Sequence, residues 1–408
     1  MAYSCILVVC LVLCAAQAQP VSQAPVLKEA PSEVLFRLQK PLELLCEVEG
    51  DASQVKYEWH KDDELVKPSA KVQQKDGKLV FSDPTDEDEG EYRCIASSPA
   101  GKASTRPISV NKAYLTAPKV QEQRTKPVEG KPFKLPCAVP DAYPAPSIQW
   151  KKNYKDGKTE NVMDGRITIS PEGDLYFTNA TEKDVSKDFK YVCLATSPAV
   201  DGEVVLAEHV LSDGLEKNPK PDSEVVQQYV TPDKHTLYAG EQAYLYCIYG
   251  GSPQAYPDWY KDGVNVNNKP GDRVTRHNRS KGKRLLIKEV LLEDQGEYTC
   301  KINNELGKEQ EYKFNVEVVS APKFVKKPEK RIQAKEGSDV VIPCSVQAKP
   351  ASSSLWTYNA APLANARATR DEQGLTIAKA TKADSGYYGC KVANDHGEDY
   401  VETYLQVS

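Results

Sequence analysis

Short apolar pairs, two residues apart, punctuate the chain. Leu79 and Phe81, Leu285 and Ile287, and Leu375 and Ile377 each begin 15 residues before a cysteine, whereas Leu175 and Phe177 begin 18 residues before one. Side chains alternate across a strand, so each pair predicts a strand with one face on a core. Residues 212–222 break that pattern. They are polar, carry Gly214, Pro219 and Pro221 and show no alternation, which is the composition of an exposed linker. A continuous apolar run, Cys5 to Ala16, is 12 residues long, too short for a membrane span of about 20. With the small-x-small pattern Ala16-Gln17-Ala18 it reads as a secretory signal over residues 1–18.

The cysteines supply the frame for those strands. Cys46, Cys137, Cys247 and Cys344 are each followed 12 or 13 residues later by a tryptophan, Trp59, Trp150, Trp259 and Trp356. Cys94, Cys193, Cys300 and Cys390 then close each set 46 to 56 residues after its first cysteine. An immunoglobulin sandwich needs this spacing: one cysteine on each sheet, bridged through the core, with an indole from the intervening strand packed on the sulfurs. Discarding Cys5, Cys10 and Cys14 with the signal leaves eight cysteines, which the sandwich pairs as 46–94, 137–193, 247–300 and 344–390. Each bridge closes a loop worth roughly 4 kcal/mol on a chain-entropy estimate and persists only in an oxidising compartment.

The fold class expected is therefore all-β, four tandem sandwiches. The domains are placed at 19–112, 113–211, 223–319 and 320–408, with the linker at 212–222. Three closing cysteines sit in Asp-x-Gly-x-Tyr-x-Cys: Asp88, Gly90 and Tyr92; Asp294, Gly296 and Tyr298; Asp384, Gly386 and Tyr388. A tyrosine at that place returns its hydroxyl to the backbone in a tyrosine corner. The second domain keeps Tyr191 but has Phe189 and Lys187 at the glycine and aspartate positions, and its loop is three residues longer.

The joints differ. Ala117-Pro118-Lys119-Val120 and Ala321-Pro322-Lys323-Phe324 open the even-numbered domains with nearly the same words, which suggests a duplicated two-domain unit. The long middle linker lets the second unit fold back on the first as a horseshoe, domain 1 against domain 4 and domain 2 against domain 3. An extended rod is the alternative. Residues 19–112 carry 13 basic and 17 acidic side chains and residues 321–408 carry 12 and 10, so net charges of −4 and +2 favour the two ends meeting.

Local chemistry is densest at 273–284, where Arg273, Arg276, Arg279, Lys281, Lys283 and Arg284 occur without an acid. The segment precedes the Leu285–Ile287 strand and should form an edge hairpin. Guanidinium and ammonium groups converging there bind phosphates by charge-assisted hydrogen bonds. Arg273 is set aside for Asp294 across the base of the sandwich, so Arg276, Arg279, Lys281 and Lys283 are the candidate ligands for phosphate. Asn278-Arg279-Ser280 is also a glycosylation sequon, as is Asn179-Ala180-Thr181, expected in an exposed turn. The lysines at 323, 326, 327, 330 and 335 read as edge-strand lysines that discourage sheet-to-sheet pairing.

Other classes find little support. The acidic run 83–91 lacks the spacing of a helix-loop-helix calcium site. Gly157-Lys158-Thr159 lacks the earlier glycine of a phosphate-binding loop, and the five histidines are scattered without metal-ligand spacing or a neighbouring nucleophile. No enzyme, metal or cofactor is expected. A net charge of −5 and a basic segment without interleaved aromatics argue against nucleic acid. Nothing after Cys390 resembles a membrane anchor, so the mature chain is expected to be secreted.

The three Asp-x-Gly-x-Tyr-x-Cys motifs, with Asn304 and Asn394 four residues beyond their cysteines and Gly101, Gly307 and Gly397 seven beyond theirs, resemble intermediate-set immunoglobulin domains. The stretch from Gly165 to Phe177, GRITISPEGDLYF, resembles the second domain of neural cell-adhesion molecules. Four such domains behind a signal, without fibronectin repeats or a membrane span, are similar to the secreted immune proteins of moths. That resemblance implies a haemolymph recognition and adhesion protein that binds bacterial lipopolysaccharide or lipoteichoic acid, associates with the haemocyte surface and self-associates. A homophilic adhesion protein or soluble decoy with no microbial ligand is the alternative.

Overall fold

All eight residues of the four apolar pairs are buried; the intervening residue is partly exposed in domains 1, 3 and 4, whereas in domain 2 it is Tyr176, buried beside Tyr229 of domain 3. The computed structural model describes residues 24–50, 52–162, 164–267 and 272–408; the expected signal and its three cysteines lie outside the described residues. Four sandwiches follow one another. In the third, one sheet runs Lys234–Tyr238, Gln310–Lys326, Gly296–Ile302, Asp258–Lys261 and Val264–Asn265 in spatial order. The facing sheet runs Ser223–Val230, Ala243–Ser252, Arg284–Ile287 and Val274–Arg276. In every domain the first strand of the larger sheet pairs parallel to the last, as Arg331–Ala334 does with Gly397–Val407.

The four disulfides join Cys46 to Cys94, Cys137 to Cys193, Cys247 to Cys300 and Cys344 to Cys390 across the two sheets. Trp59, Trp150, Trp259 and Trp356 are at most 2% exposed, and burying a side chain of that size contributes more than about 1.5 kcal/mol. Three of the indoles donate their N–H to a buried carbonyl, those of Gly77, Gly173 and Gly282, at 3.2, 2.7 and 2.7 Å. The tyrosine corners form as expected, with the hydroxyls of Tyr92, Tyr298 and Tyr388 on the carbonyls of Asp88, Asp294 and Asp384 at 2.9 to 3.0 Å. Domain 2 corrects the reading of its longer loop. Tyr191 reaches the carbonyl of Asp184 at 3.1 Å, and Asp184, not position 187, is the structural aspartate. Its carboxylate takes both arms of the Arg166 guanidinium at 2.8 and 2.9 Å.

Two joints differ from their sequence reading. Residues 321–324 lie inside one strand, Gln310–Lys326, which pairs with domain 3 through Val316 and with domain 4 through Lys323. Residues 117–120 belong to no strand, so similar words serve different backbone roles. The middle segment is strapped onto domain 2 instead of lying free. Glu216 donates to the Pro127 carbonyl at 2.9 Å and accepts from the Glu129 N–H at 2.9 Å, and Leu215 is buried.

The chain folds back as a horseshoe. Domains 2 and 3 meet through polar and main-chain groups. The Gly251 N–H donates to the Thr178 carbonyl at 2.8 Å, Gln228 donates to the Phe177 carbonyl at 3.1 Å, and the Tyr229 hydroxyl donates to Glu172 at 2.8 Å. No ion pair crosses that contact among the described residues. Domains 1 and 4 share a small apolar cluster, Ala24, Ala96, Ala103 and Tyr387, ringed by charge. Arg106 pairs with Asp399 at 3.0 Å, Lys330 with Glu49 at 2.5 Å and Lys391 with Glu91 at 3.4 Å. Lys330, read from sequence as an edge guard, thus reaches across to domain 1, and Arg331 donates to the Ala24 carbonyl at 2.5 Å.

Candidate functional site

The basic segment of domain 3 forms the expected hairpin. Val274–Arg276 pairs antiparallel with Arg284–Ile287, and a single 3-10 turn, Asn278–Ser280, carries the chain between them. Lys281 closes that turn in the left-handed region (φ +52°), followed by Gly282 at φ +86°. A Cβ on Gly282 would stand 2.6 Å from the Arg276 Nε, so the bare glycine is what lets that guanidinium fold over the turn.

The six cations do not act together. Arg273 is bound by Asp294 at 2.5 and 2.8 Å, as expected from the sequence. Arg284 turns inward, its guanidinium over the Tyr244 ring at 4.7 Å and beside the His277 Nδ1 at 3.2 Å. Burial, together with Arg284 and Arg279, depresses His277 to about 4, so the ring is uncharged near neutrality. Lys283 corrects the candidate list. It is 0% exposed, and its Nζ donates to the carbonyl of Gly165 in domain 2 and to that of Ser280 at 3.3 Å. Burial pushes its amine down to about 7, and no phosphate in solvent can reach it.

Arg276, Arg279 and Lys281 remain at the surface side of the turn. Arg276 and Lys281 line a shallow depression with Tyr256, Asn278 and Gly282. Arg279 is exposed and forms no ion pair among the described residues, while Arg276 has a loose contact with Asp258 at 3.4 Å. The Lys281 stem lies against Gly165, whose missing side chain leaves it room; a Cβ there would be 2.9 Å from its Cγ. Asn278, the first sequon, is exposed at the rim of this depression. Asn179, the second, departs from its expected exposed turn: it is half-buried, its Oδ1 enclosed, next to the Thr178 carbonyl that joins domain 3. No group of metal-ligating side chains occurs among the described residues, nor any helix long and apolar enough to cross a membrane.

Asn304 and Asn394, named in the sequence only as motif members, have a shared structural duty. Each donates to two carbonyls, Asn304 to Ser223 and Pro253 at 2.7 and 3.1 Å, Asn394 to Ser320 and Pro350 at 2.8 and 2.9 Å. They tie the turn after the closing cysteine both to the opening strand of their domain and to the proline that follows Ala243–Ser252 or Ser345–Lys349.

Four disulfide-bridged sandwiches with tyrosine corners define a protein of tandem immunoglobulin domains. The immunoglobulin I-set domain profile matches residues 227–318 and 322–407, and a second immunoglobulin domain profile matches 24–98 and 117–197. The chain is 48% identical to hemolin of Manduca sexta over 98% of each sequence, and 45% identical to hemolin of Hyalophora cecropia over the full length of both. It belongs to the hemolin family. The crystal structure of the insect immune protein hemolin, described as a new domain arrangement with implications for homophilic adhesion, superposes with a TM-score of 0.90 at 46% identity, covering 94% of this chain and all of that one. Neuroglian of Drosophila melanogaster is 34% identical over 97% of this chain, which spans 32% of neuroglian.

Proposed function

We propose that Arg276, Arg279 and Lys281 bind the phosphates of bacterial surface glycolipid, lipopolysaccharide or lipoteichoic acid. The protein is read as secreted into haemolymph, where it also engages the haemocyte surface and copies of itself. The observation that carries this reading is the left-handed turn at Lys281 and Gly282, which gathers an arginine and a lysine around one open depression with a third cation beside it. Guanidinium and ammonium groups held this way present several N–H donors to one phosphate. Four disulfides support an extracellular setting.

The test is the combined variant Arg276→Ala, Arg279→Ala, Lys281→Ala, with dephosphorylated lipopolysaccharide as control. Binding of the phosphorylated ligand should fall, most at low salt, because exposed charges are screened over about 8 Å at physiological ionic strength. Unchanged binding would remove the site from this hairpin. A glycan on Asn278 would crowd the same depression, so protein with and without it should differ in affinity.

The second reading is a homophilic adhesion protein or decoy without a microbial ligand. It is favoured by the homophilic adhesion inferred for the hemolin of known structure. Sedimentation showing concentration-dependent self-association that phosphate leaves unchanged would support it over the first.

A further inference from the structure

Glu402 lies on the last strand, Gly397–Val407, at the contact with domain 1. Its two carboxyl oxygens accept the Ser104 main-chain N–H at 2.9 and 3.1 Å, and one accepts the Tyr400 hydroxyl at 3.0 Å. Ser104 ends Gly101–Ser104, a strand paired on one side only, with Gly90–Ser98. The unpaired edge of such a strand offers alternate N–H groups. Domain 4 covers them with side-chain oxygens: Asn359 takes the Lys102 N–H at 3.3 Å and Glu402 takes the next.

What Glu402 lacks is a cation. The basic groups around the same cleft are engaged elsewhere: Lys28 with Glu47 at 2.9 Å, Arg106 with Asp399 at 3.0 Å and Lys330 with Glu49 at 2.5 Å, while Lys327 sits 5.5 Å over the Phe324 ring. Behind them, Arg331 is held by the Ala24 carbonyl and Arg93 by Asp63. Glu29 adds a second acid to the cleft, and burial keeps the Tyr387 and Tyr400 phenols protonated. Glu402 itself forms no ion pair among the described residues.

We propose that Glu402 makes the contact between domains 1 and 4 proton-dependent, so that the ends of the horseshoe hold more tightly with its carboxyl protonated and loosen as the pH rises toward neutrality and beyond. A charged carboxylate placed between two domains without a counter-ion costs more than its hydrogen bonds return. Part of the residue still meets solvent along the cleft, yet burial of the carboxyl outweighs the Ser104 and Tyr400 bonds that favour its charged form, and raises it to about 8. With the domains apart the group is solvated and titrates near about 4.3. Closing therefore takes up a proton between those two values. The closing equilibrium weakens by up to about tenfold per pH unit as pH rises across that window and is level above it. Lys283, at the other contact, is depressed to about 7 and acts in the opposite sense only above that, so the acid side of neutrality reads Glu402.

Hydrogen exchange of the Lys102 and Ser104 N–H groups, in the full chain and corrected for intrinsic exchange, reports the closed fraction, because these two bond to domain 4 while their neighbour Thr105 bonds within domain 1. Between about pH 5 and 7 protection in the wild type should fall with rising pH, approaching tenfold per unit. In Glu402→Gln, whose amide keeps an acceptor for Ser104 and has no proton to lose, protection should not change with pH. Glu402→Ala loses the acceptor as well, so its protection should be low and equally level, which keeps the test decisive if the glutamine variant folds poorly. Protection that is independent of pH in the wild type, or that falls equally in all three proteins, would overturn the proposal.

Discussion

The amine of Lys283 donates to the main-chain carbonyl of Gly165, 118 residues earlier in the chain. A side chain that the local sequence offers as a ligand for phosphate is instead a peg between domain 3 and domain 2. Gln254 donates to the same carbonyl, so Gly165 is held from two places at once. Nearby charge is mixed, Asp164 favouring the protonated amine while Arg166 and Lys281 oppose it, and burial outweighs them all.

Replacing Lys283 with methionine keeps the stem and removes the titrating group. The folded protein holds the amine at about 7, against about 10.4 in the unfolded chain, so folding releases a proton between those values. The contribution of this residue to stability therefore rises with pH from about 7 to about 10 and is level below 7. Thermal unfolding at about pH 7, 8.5 and 10 should show Lys283→Met gaining on the wild type as pH falls through that range. Because Gln254 still satisfies the Gly165 carbonyl, its loss of hydrogen bonding should cost no more than about 1 kcal/mol. A gap between the two proteins that does not vary with pH would show that the amine is solvated.

Much of the fold is legible because its signals are local and repeated. Cysteine, tryptophan, apolar pair and tyrosine each occupy one place in a sandwich, and the structure puts all of them there. The aspartate of domain 2 is hidden from a count back from Cys193, which crosses a loop of different length. Counted forward from the apolar pair, Asp184 stands nine residues after Leu175, as Asp88, Asp294 and Asp384 stand nine after Leu79, Leu285 and Leu375. The burial of Lys283 has no such signal. It depends on Gly165, in another domain, and alternation within one hairpin cannot report a neighbour that the linker brings alongside.

Asp184 offers a direct comparison with the position it displaced. Its carboxylate receives both arms of Arg166 together with the N–H and hydroxyl of Thr181, at 2.8 to 2.9 Å, and its side chain is 1% exposed. Removing one member of a buried, bonded pair strands the other charge and typically costs about 3–5 kcal/mol. Asp184→Ala should lose that much in urea unfolding of domain 2. Lys187→Ala should stay within about 0.5 kcal/mol of wild type, as surface changes do. Equal losses would mean that position 187 carries the corner after all.

The contact between domains 2 and 3 can be tested by a wedge. Gly250 has no side chain on the face turned to domain 2, and an added Cβ would stand 2.2 Å from the Pro132 Cβ and 2.9 Å from the Thr178 carbonyl oxygen. Its φ is not positive, so a larger residue meets no conformational strain within its own strand, Ala243–Ser252. All the crowding comes from the other domain. Gly250→Trp should therefore leave domain 3 folded, its disulfide and Trp259 environment intact, while forcing the two domains apart. Small-angle scattering should show a larger radius of gyration, and exchange of the Gly251 N–H, bonded to Thr178 at 2.8 Å in the closed form, should rise several-fold. Near-ultraviolet circular dichroism checks that the sandwiches survive. If the tryptophan variant scatters like the wild type, domain 3 absorbs the wedge by shifting its own strand, and the closeness of Gly250 to Pro132 does not govern the fold-back.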